Sequence, residues 1–152
     1  MEKSVLFVCT GNTCRSPLAE VWFNKYASEA GLEDYHGCSA GLYADDNSGA
    51  SANSRLVAKE NGASLDDFHS RALTYEMVKN ADLIIGLTDA HCRKIIAAVP
   101  EAAGKVKRIM EFAECDGDVV DPYGGSLEDY RRAFGMIRSA VENLVEQLKN
   151  NF

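Results

Sequence analysis

The stretch VLFVCTGNTCRSP, residues 5–17, decides the fold of this chain. It opens with a β-branched and aromatic run that ends at Cys9, as a buried strand does before a loop. The residues after Cys9 are typical of a loop, and Ser16 and Pro17 then resemble a helix start, with a hydroxyl N-cap and proline at the first helical position. Apolar residues follow at helical spacing until Gly31. The stretch therefore predicts a strand, a loop and a helix in direct succession.

The remainder of the chain alternates strands with helices. Strands are predicted over residues 35–40, 81–87 and 106–109, and helices over residues 52–61 and 91–99. A last helix follows the capping pattern of Ser126 and Asp129. This alternation predicts a single α/β domain over residues 1–152, with a four-stranded parallel sheet and helices on both faces. Such sheets bind ligands at the carboxyl ends of their strands, where Cys9 lies.

The loop after Cys9 has the composition of an oxyanion cradle. A loop of this length can curl so that its backbone N–H groups point inward, and the following helix N-terminus adds partial positive charge. Gly11 and Asn12 tolerate the left-handed backbone conformations that such a curl needs. The predicted phosphate-binding residues are Thr10, Gly11, Asn12, Thr13, Cys14, Arg15 and Ser16.

The same loop carries a nucleophile and an anion clamp. Arg15 can grip two phosphate oxygens through its planar guanidinium. The field that attracts phosphate also favours the thiolate of Cys9, which is the form that attacks, although an inert buried thiol is the alternative. Ser16 has two interpretations: a hydrogen-bond donor that makes the Cys9 sulfur a better leaving group, or a plain N-cap.

Composition excludes several classes of protein. The chain has 152 residues, a net charge of −7 and a pI near 4.9, which disfavour nonspecific binding to nucleic acid or anionic lipid. No apolar run is long enough for a membrane span or a secretory signal. Its five cysteines form no CxxC pair, so we expect free thiols in a reducing cytoplasm. We expect no metal or cofactor.

The loop closely resembles the signature loop of the low-molecular-weight protein-tyrosine-phosphatase family, and the resemblance covers essentially the whole chain. The Ser-Ala-Gly beginning at Ser39 looks like the family's sequence after its second strand, and Asp121-Pro122 resembles its late Asp-Pro. The resemblance implies a flavodoxin-like fold of the phosphatase I type and catalysis through a phosphocysteine intermediate on Cys9.

By the same resemblance, Asp121 protonates the leaving group and then activates water. An Asp before Pro lies on an extended or turn segment that suits reaching over a pocket, but it is also a common turn opener. His69 and Arg71 resemble a family element that has one more residue between His and Arg. The resemblance implies that His69 hydrogen-bonds Asn12 and supports the loop together with Ser39; a surface histidine is the alternative, and the shorter spacing leaves Arg71 open.

Two positions bear on the choice of substrate. Tyrosine-directed members of the family carry a bulky aliphatic residue before the second loop cysteine and often paired aromatics after Asp-Pro. This chain has Thr13, and Tyr123 followed by two glycines, which resemble the bacterial protein-arginine-phosphatase branch. A threonine hydroxyl can orient a guanidinium leaving group. Acidic residues near the site, Asp116 and Asp118, suit a guanidinium better than a phenol. The alternative interpretation of these two residues is that they are solvated and only resemble the catalytic aspartate in sequence. Phosphoarginine is the favoured substrate residue and phosphotyrosine the alternative.

Cys14 lies five residues after Cys9, within plausible disulfide reach once the loop closes. By resemblance, the two form a reversible disulfide that shields Cys9 from irreversible oxidation. Simple packing of Cys14 within the loop is the alternative.

Three other classes of protein share parts of this pattern. A thioredoxin-coupled arsenate reductase needs further resolving cysteines, for which this chain offers Cys92 and the more distant Cys115. A sugar-transport phosphocarrier also holds phosphate on a loop cysteine, but Arg15 and Asp121 favour turnover. A catalytically dead phosphoprotein-binding module is the non-enzyme alternative. The expected protein is a cytoplasmic enzyme, preferably monomeric, that acts on a phosphorylated protein and releases inorganic phosphate.

Overall fold

Four parallel strands form the centre of the computed structural model, which describes residues 2–113 and 117–150. The strands are β1, Lys3–Cys9; β2, Tyr35–Gly41; β3, Leu83–Gly86; and β4, Val106–Arg108. They are ordered β2-β1-β3-β4, and all three pairings are parallel. Since β2 and β3 lie on opposite sides of β1, the order of the sheet reverses at β1, which creates a ligand-binding crevice at its carboxyl end.

Helices connect and cover the strands within the described ranges. They are α1, Arg15–Glu29; α2, Ala52–Glu60; α3, Tyr75–Asn80; α4, Asp89–Ala98; and α5, Leu127–Asn150. Short 3-10 turns span Pro100–Lys105 and Ile109–Glu111. Across residues 2–113 and 117–150, every helix is too short or too polar to cross a membrane.

Alternate residues of β1 enter two separate hydrophobic cores. Val5 and Phe7 pack in the core that includes α1, α2 and α5, whereas Leu6 and Val8 pack in the core that includes α3 and α4. All four side chains are buried. A strand covered on both faces needs apolar residues at every position, which explains its continuous apolar run. The predicted fold class, a four-stranded parallel sheet with helices on both faces, is confirmed.

The start of α1 differs from the prediction. The helix begins at Arg15, with Cys14 at the N-cap and no side-chain cap hydrogen bond, so Ser16 is not the N-cap and Pro17 is the third helical residue. Proline is tolerated there because N–H groups in the first turn have no partner within the helix. The Ser16 hydroxyl is therefore free of a capping role.

Other differences have simple causes. Helix α3 was not predicted, because its six residues bury only Val78 and show no usable periodicity. Strand β3 is shorter than predicted at both ends, and Leu87, just beyond it, donates its N–H to the carbonyl of Val8. The capping pattern before α5 is confirmed, since Ser126 and Asp129 exchange backbone-to-side-chain hydrogen bonds of 3.0 and 3.2 Å.

The end of β2 supports the loop that follows β1. Gly41 pairs with Cys9 in the sheet. A Cβ added at Gly41 would lie 2.6 Å from the Thr10 carbonyl oxygen and 2.9 Å from the Asn12 nitrogen. The chain needs glycine here because the two backbones approach too closely for any side chain.

We expect Gly41→Ala to lower the free energy of unfolding by about 1–3 kcal/mol, because the loop backbone must move away from the new methyl group. Gly49→Ala is the matched control, since a Cβ there meets no atom within 4 Å. Urea denaturation of both variants measures the difference, and amide chemical shifts of residues 10–16 report the loop movement. Equal stabilities with unchanged shifts would contradict the expected clash.

Candidate active site

A cavity of about 230 Å³ opens at the carboxyl end of β1. It is lined by Cys9, Thr10, Gly11, Thr13, Cys14, Arg15, Asp121 and Tyr123. Most of the predicted phosphate-binding residues thus border one space with the predicted aspartate. Asn12 and Ser16 are fully buried and contact the sulfur of Cys9.

The loop after Cys9 is held from the outside through its carbonyl groups. The Thr10 and Thr13 carbonyls accept from the backbone N–H groups of Tyr43 and Ser51, each at 2.9 Å. The Cys14 carbonyl accepts from the hydroxyl of Ser54, in α2, at 3.1 Å. Because these carbonyls bond outward, the loop has the polarity of an anion-binding nest. Sequence reasoning missed Ser51 and Ser54.

The sulfur of Cys9 lies at the centre of a hydrogen-bond network. Its Sγ accepts the backbone N–H of Asn12 at 3.3 Å and lies 2.9 Å from the Ser16 Oγ. Asn12 Nδ2 donates to that same Oγ at 2.8 Å, which leaves the Ser16 hydroxyl hydrogen for the sulfur. Of the two interpretations of Ser16, the geometry matches the donor to Cys9. Such donors stabilise a thiolate.

The Asn12 side chain joins three segments of the chain. Its Nδ2 also donates to Ser39 Oγ at the end of β2, at 2.9 Å, and its Oδ1 accepts the backbone N–H of Arg71 at 2.8 Å. The residue adopts a left-handed conformation with φ of 56°, as predicted for this part of the loop. Each polar atom of the amide therefore has a defined partner.

The predicted hydrogen bond between His69 and Asn12 is wrong. His69 is exposed, and the described partners of the Asn12 side chain are Ser16, Ser39 and the Arg71 amide. The single residue between His69 and Arg71 brings a backbone N–H to Asn12 instead of an imidazole. The surface alternative holds for His69, and Arg71 contributes through its backbone.

Glu20 extends this network away from the cavity. Its Oε1 accepts the Ser39 hydroxyl at 2.7 Å, which directs a Ser39 lone pair toward Asn12. Burial raises the pKa of Glu20, although the Ser39 hydrogen bond and the charge of Arg71 oppose this shift. Sequence reasoning missed Glu20, because a carboxylate on an amphipathic helix is usually assigned to the solvated face.

Arg15 connects the loop to the segment that carries Asp121. Arg15 is 4% exposed; its Nη1 donates to the Val119 carbonyl at 3.1 Å, and its Nη2 lies 3.5 Å from Asp121 Oδ2. The Asp121 carboxylate is half exposed, and its Oδ1 accepts the Tyr123 N–H at 3.0 Å. The two predicted catalytic residues therefore form an ion pair at the border of the cavity.

The segment around Asp121 is anchored to the sheet and to α4. Val119 donates its N–H to the Leu87 carbonyl, and Asp118 Oδ1 accepts the N–H of Asp89 at 2.8 Å. Asp118 was expected to be a solvated decoy, and it is exposed; its carboxylate also caps the N-terminus of α4, where a negative charge is favourable. Asp116, its predicted companion, lies outside the described residues.

His91 is a buried site residue that sequence reasoning missed. Its Nδ1 accepts the Thr88 N–H at 3.1 Å, and its Nε2 lies 3.0 Å from the Thr10 Oγ1. Burial, assisted by the positive charges of Arg15 and Lys94, lowers the pKa of His91 to about 4, so the ring is neutral near pH 7. His91 lies in the first turn of an ordinary helix, and the sequence alone does not distinguish an active-site histidine from a capping residue there.

Cys14 faces α5 as well as the cavity. Its Sγ lies 3.3 Å from the Tyr130 hydroxyl, and burial together with this contact raises the pKa of Tyr130. Cys9 and Cys14 are both free thiols. Cys92, by contrast, is buried, and its Sγ donates to the carbonyl of Lys107 in β4. This position does not favour Cys92 as the resolving cysteine that an arsenate reductase needs. Cys115, the other candidate, lies outside the described residues.

The rim of the cavity carries the two predicted specificity residues. Thr13 is partly exposed, and Tyr123 is 80% exposed. Within residues 2–113 and 117–150, no cluster of three or more His, Cys, Asp or Glu side chains is arranged to hold a metal ion. Among the side chains that border the cavity are the thiol of Cys9, the guanidinium of Arg15 and the carboxylate of Asp121.

Comparison with known proteins places this site in a family. The sequence profile described as low molecular weight phosphotyrosine protein phosphatase matches residues 4–152. The chain belongs to this family. The predicted family, fold class and enzyme class are thus confirmed: the protein is a cysteine-dependent low-molecular-weight protein phosphatase.

Relatives in this family carry two kinds of name. A protein-arginine-phosphatase of Geobacillus stearothermophilus is 36% identical, and the match covers 98% of each chain. The low molecular weight protein-tyrosine-phosphatase Etp of Escherichia coli is 32% identical, over 95% of this chain and 94% of Etp. A solved structure of the YwlE arginine phosphatase, a mutant with a phosphorylated active-site serine, is 34% identical with a TM-score of 0.92, over 97% of each chain.

Proposed function

We propose that this phosphatase hydrolyses phosphoarginine in proteins through a phosphocysteine intermediate on Cys9, with Arg15 as phosphate clamp and Asp121 as general acid and base. The observation that carries the proposal is the shared cavity. The Cys9 sulfur, held by the Asn12 N–H and near the Ser16 hydroxyl, borders the same space as Arg15 and Asp121.

In the first step, the Cys9 thiolate attacks phosphorus in line with the leaving group. An S–P bond forms, and the P–N bond of phosphoarginine breaks. Asp121 donates its proton to the departing guanidine nitrogen, so that arginine leaves as the stable guanidinium cation. Arg15 and the inward N–H groups of the loop stabilise the equatorial oxygens.

In the second step, water attacks the phosphocysteine. Asp121, now a carboxylate, accepts a proton from this water; the S–P bond breaks and inorganic phosphate leaves. The sulfur departs as a thiolate, and the hydrogen bonds from Ser16 and Asn12 lower the energy of that anion. The two donors thus serve the nucleophile in one step and the leaving group in the next.

The preference for phosphoarginine is supported by the rim of the cavity. Thr13 offers a hydroxyl in place of an aliphatic wall, and the one aromatic after Pro122, Tyr123, is followed by glycines. Asp118 precedes Asp121 on the segment that borders the cavity, and its negative charge favours a cationic guanidinium over a phenol. Relatives named protein-arginine-phosphatases, at 36% and 34% identity, add to this support.

Phosphotyrosine is the second candidate substrate. The exposed Tyr123 ring can stack on a phenyl group, and two relatives named low molecular weight protein-tyrosine-phosphatases are 32% and 35% identical. The two candidates share Cys9, Arg15 and Asp121, so the choice between them depends on the rim.

Replacing the proposed catalytic residues should separate chemistry from binding. We expect Cys9→Ser to abolish turnover with the fold intact, and Asp121→Asn to reduce kcat about 100-fold or more, as loss of a general acid does. Intact-protein mass spectrometry after rapid quenching should show phosphocysteine in Asp121→Asn. Asp66→Asn, which removes one charge from an exposed site, is the control. Full activity in Cys9→Ser would refute the scheme, and a stable phosphocysteine in the wild type would indicate a phosphocarrier.

The role of Thr13 is tested by comparing two protein substrates, one phosphorylated on arginine and one on tyrosine. We expect the wild type to prefer phosphoarginine, and Thr13→Ile to lower that preference by about 10-fold or more, the usual cost of one hydrogen bond to a charged group. Thr13→Ser keeps the hydroxyl and should keep the preference. An unchanged ratio in Thr13→Ile would remove Thr13 from the explanation.

We infer further that Cys14 protects Cys9 through a reversible disulfide. Both residues border the same cavity, and the Cys14 Sγ makes weak hydrogen bonds, such as that with the Tyr130 hydroxyl. Peroxide oxidises the Cys9 thiolate to a sulfenic acid; the Cys14 sulfur attacks it, forming the S–S bond and releasing water.

This protection predicts a difference in recovery. After peroxide and then excess thiol, the wild type should regain most of its activity, whereas Cys14→Ser should regain much less because its Cys9 proceeds to irreversible oxidation. Cys92→Ser, a change at a buried cysteine outside the cavity, serves as the matched control. Equal recovery of wild type and Cys14→Ser would eliminate the protective role.

A further inference from the structure

His91 lies where three parts of the active site meet. It is the third residue of α4, the helix that follows the carboxyl end of β3, and it is 4% exposed. Its ring contacts Thr10, the residue that follows the nucleophile, at 3.0 Å. A buried imidazole with both nitrogens hydrogen-bonded has a fixed orientation. Packing alone does not require this orientation, so the two hydrogen bonds indicate a further role for His91.

The hydrogen bonds determine which nitrogen carries the proton. The Thr88 backbone N–H can only donate, so Nδ1 of His91 must accept and cannot be protonated. The neutral ring therefore carries its hydrogen on Nε2, and this nitrogen donates to the Thr10 Oγ1. Protonation of Nδ1 would place two N–H groups against each other and break the capping box of α4.

The consequence for Thr10 is a directed hydroxyl group. Because Oγ1 accepts from His91, its own hydrogen is free to be donated elsewhere. The Thr10 backbone is fixed as well, since its carbonyl accepts the Tyr43 N–H at 2.9 Å. Thr10 lines the cavity beside Cys9, where an anionic phosphoryl group is the natural acceptor.

The charges around His91 keep this arrangement intact. Arg15 of α1 and Lys94 of α4 disfavour the protonated ring, whereas Asp118 and Asp121, both before α5, favour it. Burial is the largest cause and acts in the same direction as the two cations, so the pKa of His91 is lowered. The same helix start also receives the Asp118 cap through the Asp89 N–H. His91 thus lies between the phosphate-binding loop and the segment of the general acid.

We propose that His91 is a positioning residue of the phosphatase reaction: its Nε2–H holds the Thr10 hydroxyl as a hydrogen-bond donor to the transferring phosphoryl group. The proposal rests on the cysteine-dependent phosphatase activity and is independent of the choice between phosphoarginine and phosphotyrosine. Thr10 acts on the phosphate, and His91 acts through Thr10.

Two substitutions separate the functions of the two ring nitrogens. In His91→Gln, the side-chain amide N–H reaches approximately the place of Nε2–H and can still donate to Thr10. In His91→Asn, the side-chain oxygen is close to the place of Nδ1 and can still accept from Thr88, but nothing reaches Thr10. Thr10→Val removes the hydroxyl with little change in shape.

The test measures kcat and KM on para-nitrophenyl phosphate, and inhibition by vanadate and by inorganic phosphate. We expect His91→Asn and Thr10→Val each to lower kcat about tenfold, with KM changed less, because a donor aimed at the transition state acts mainly on kcat. Affinity for vanadate, a transition-state analogue, should fall more than that for phosphate. His91→Gln should recover most of the lost kcat, and the Thr10→Val/His91→Asn double variant should be no slower than Thr10→Val alone.

Several results would overturn the proposal. These are additive losses in the double variant, full kcat in Thr10→Val, or a folded His91→Gln that is as slow as His91→Asn. Thermal unfolding of each variant identifies any that fails to fold. If a His91 variant does not fold, the kcat of Thr10→Val, a change at an exposed position, tests the proposal. Wild-type protein and Cys9→Ser are assayed in parallel as controls. An inactive wild type would refute the phosphatase activity itself. An active wild type with an inactive Cys9→Ser shows that the measured turnover depends on Cys9, and the His91 variants can then be interpreted.

Discussion

The hydrogen bonds of one buried amide hold the reactive sulfur in place. Asn12 joins the loop to β2 through Ser39 and to the following segment through the Arg71 amide, while its second N–H fixes the Ser16 hydroxyl beside Cys9. Its own backbone N–H contacts the sulfur. Removal of this amide would leave several buried polar groups without partners, which costs more than any single hydrogen bond contributes.

The parallel sheet supplies the rest of the arrangement. Because β1, β2 and β3 end at the same edge, the loops that follow them meet without long excursions. The tight approach at Gly41 supports the phosphate-binding loop from β2. Just beyond β3, the Leu87 carbonyl accepts the N–H of Val119 and so holds the segment that carries Asp121. Arg15 then closes the ring by bonding the Val119 carbonyl. These contacts connect the loop, the sheet and the segment of Asp121.

Much of this was predictable, for a physical reason. Cys9 and Arg15 are recognisable because one local stretch must contain the strand end, the loop and the helix start. Partners from distant segments, such as Ser54, Glu20 and His91, were not predictable, since each has an ordinary role in its own helix. The wrong prediction for His69 has a similar origin. The Asn12 side-chain oxygen accepts a backbone N–H, and because every residue except proline carries one, the sequence does not identify the donor.

The separation between the buried network and the exposed rim has a consequence for how such an enzyme diversifies. The groups that handle phosphorus are enclosed, and almost any change there disturbs a shared hydrogen-bond network. Thr13 and Tyr123 stand at the mouth, where a substitution meets solvent on one side. Evolution can therefore exchange one phosphorylated side chain for another by altering a few positions at the entrance, while the reaction that follows stays the same.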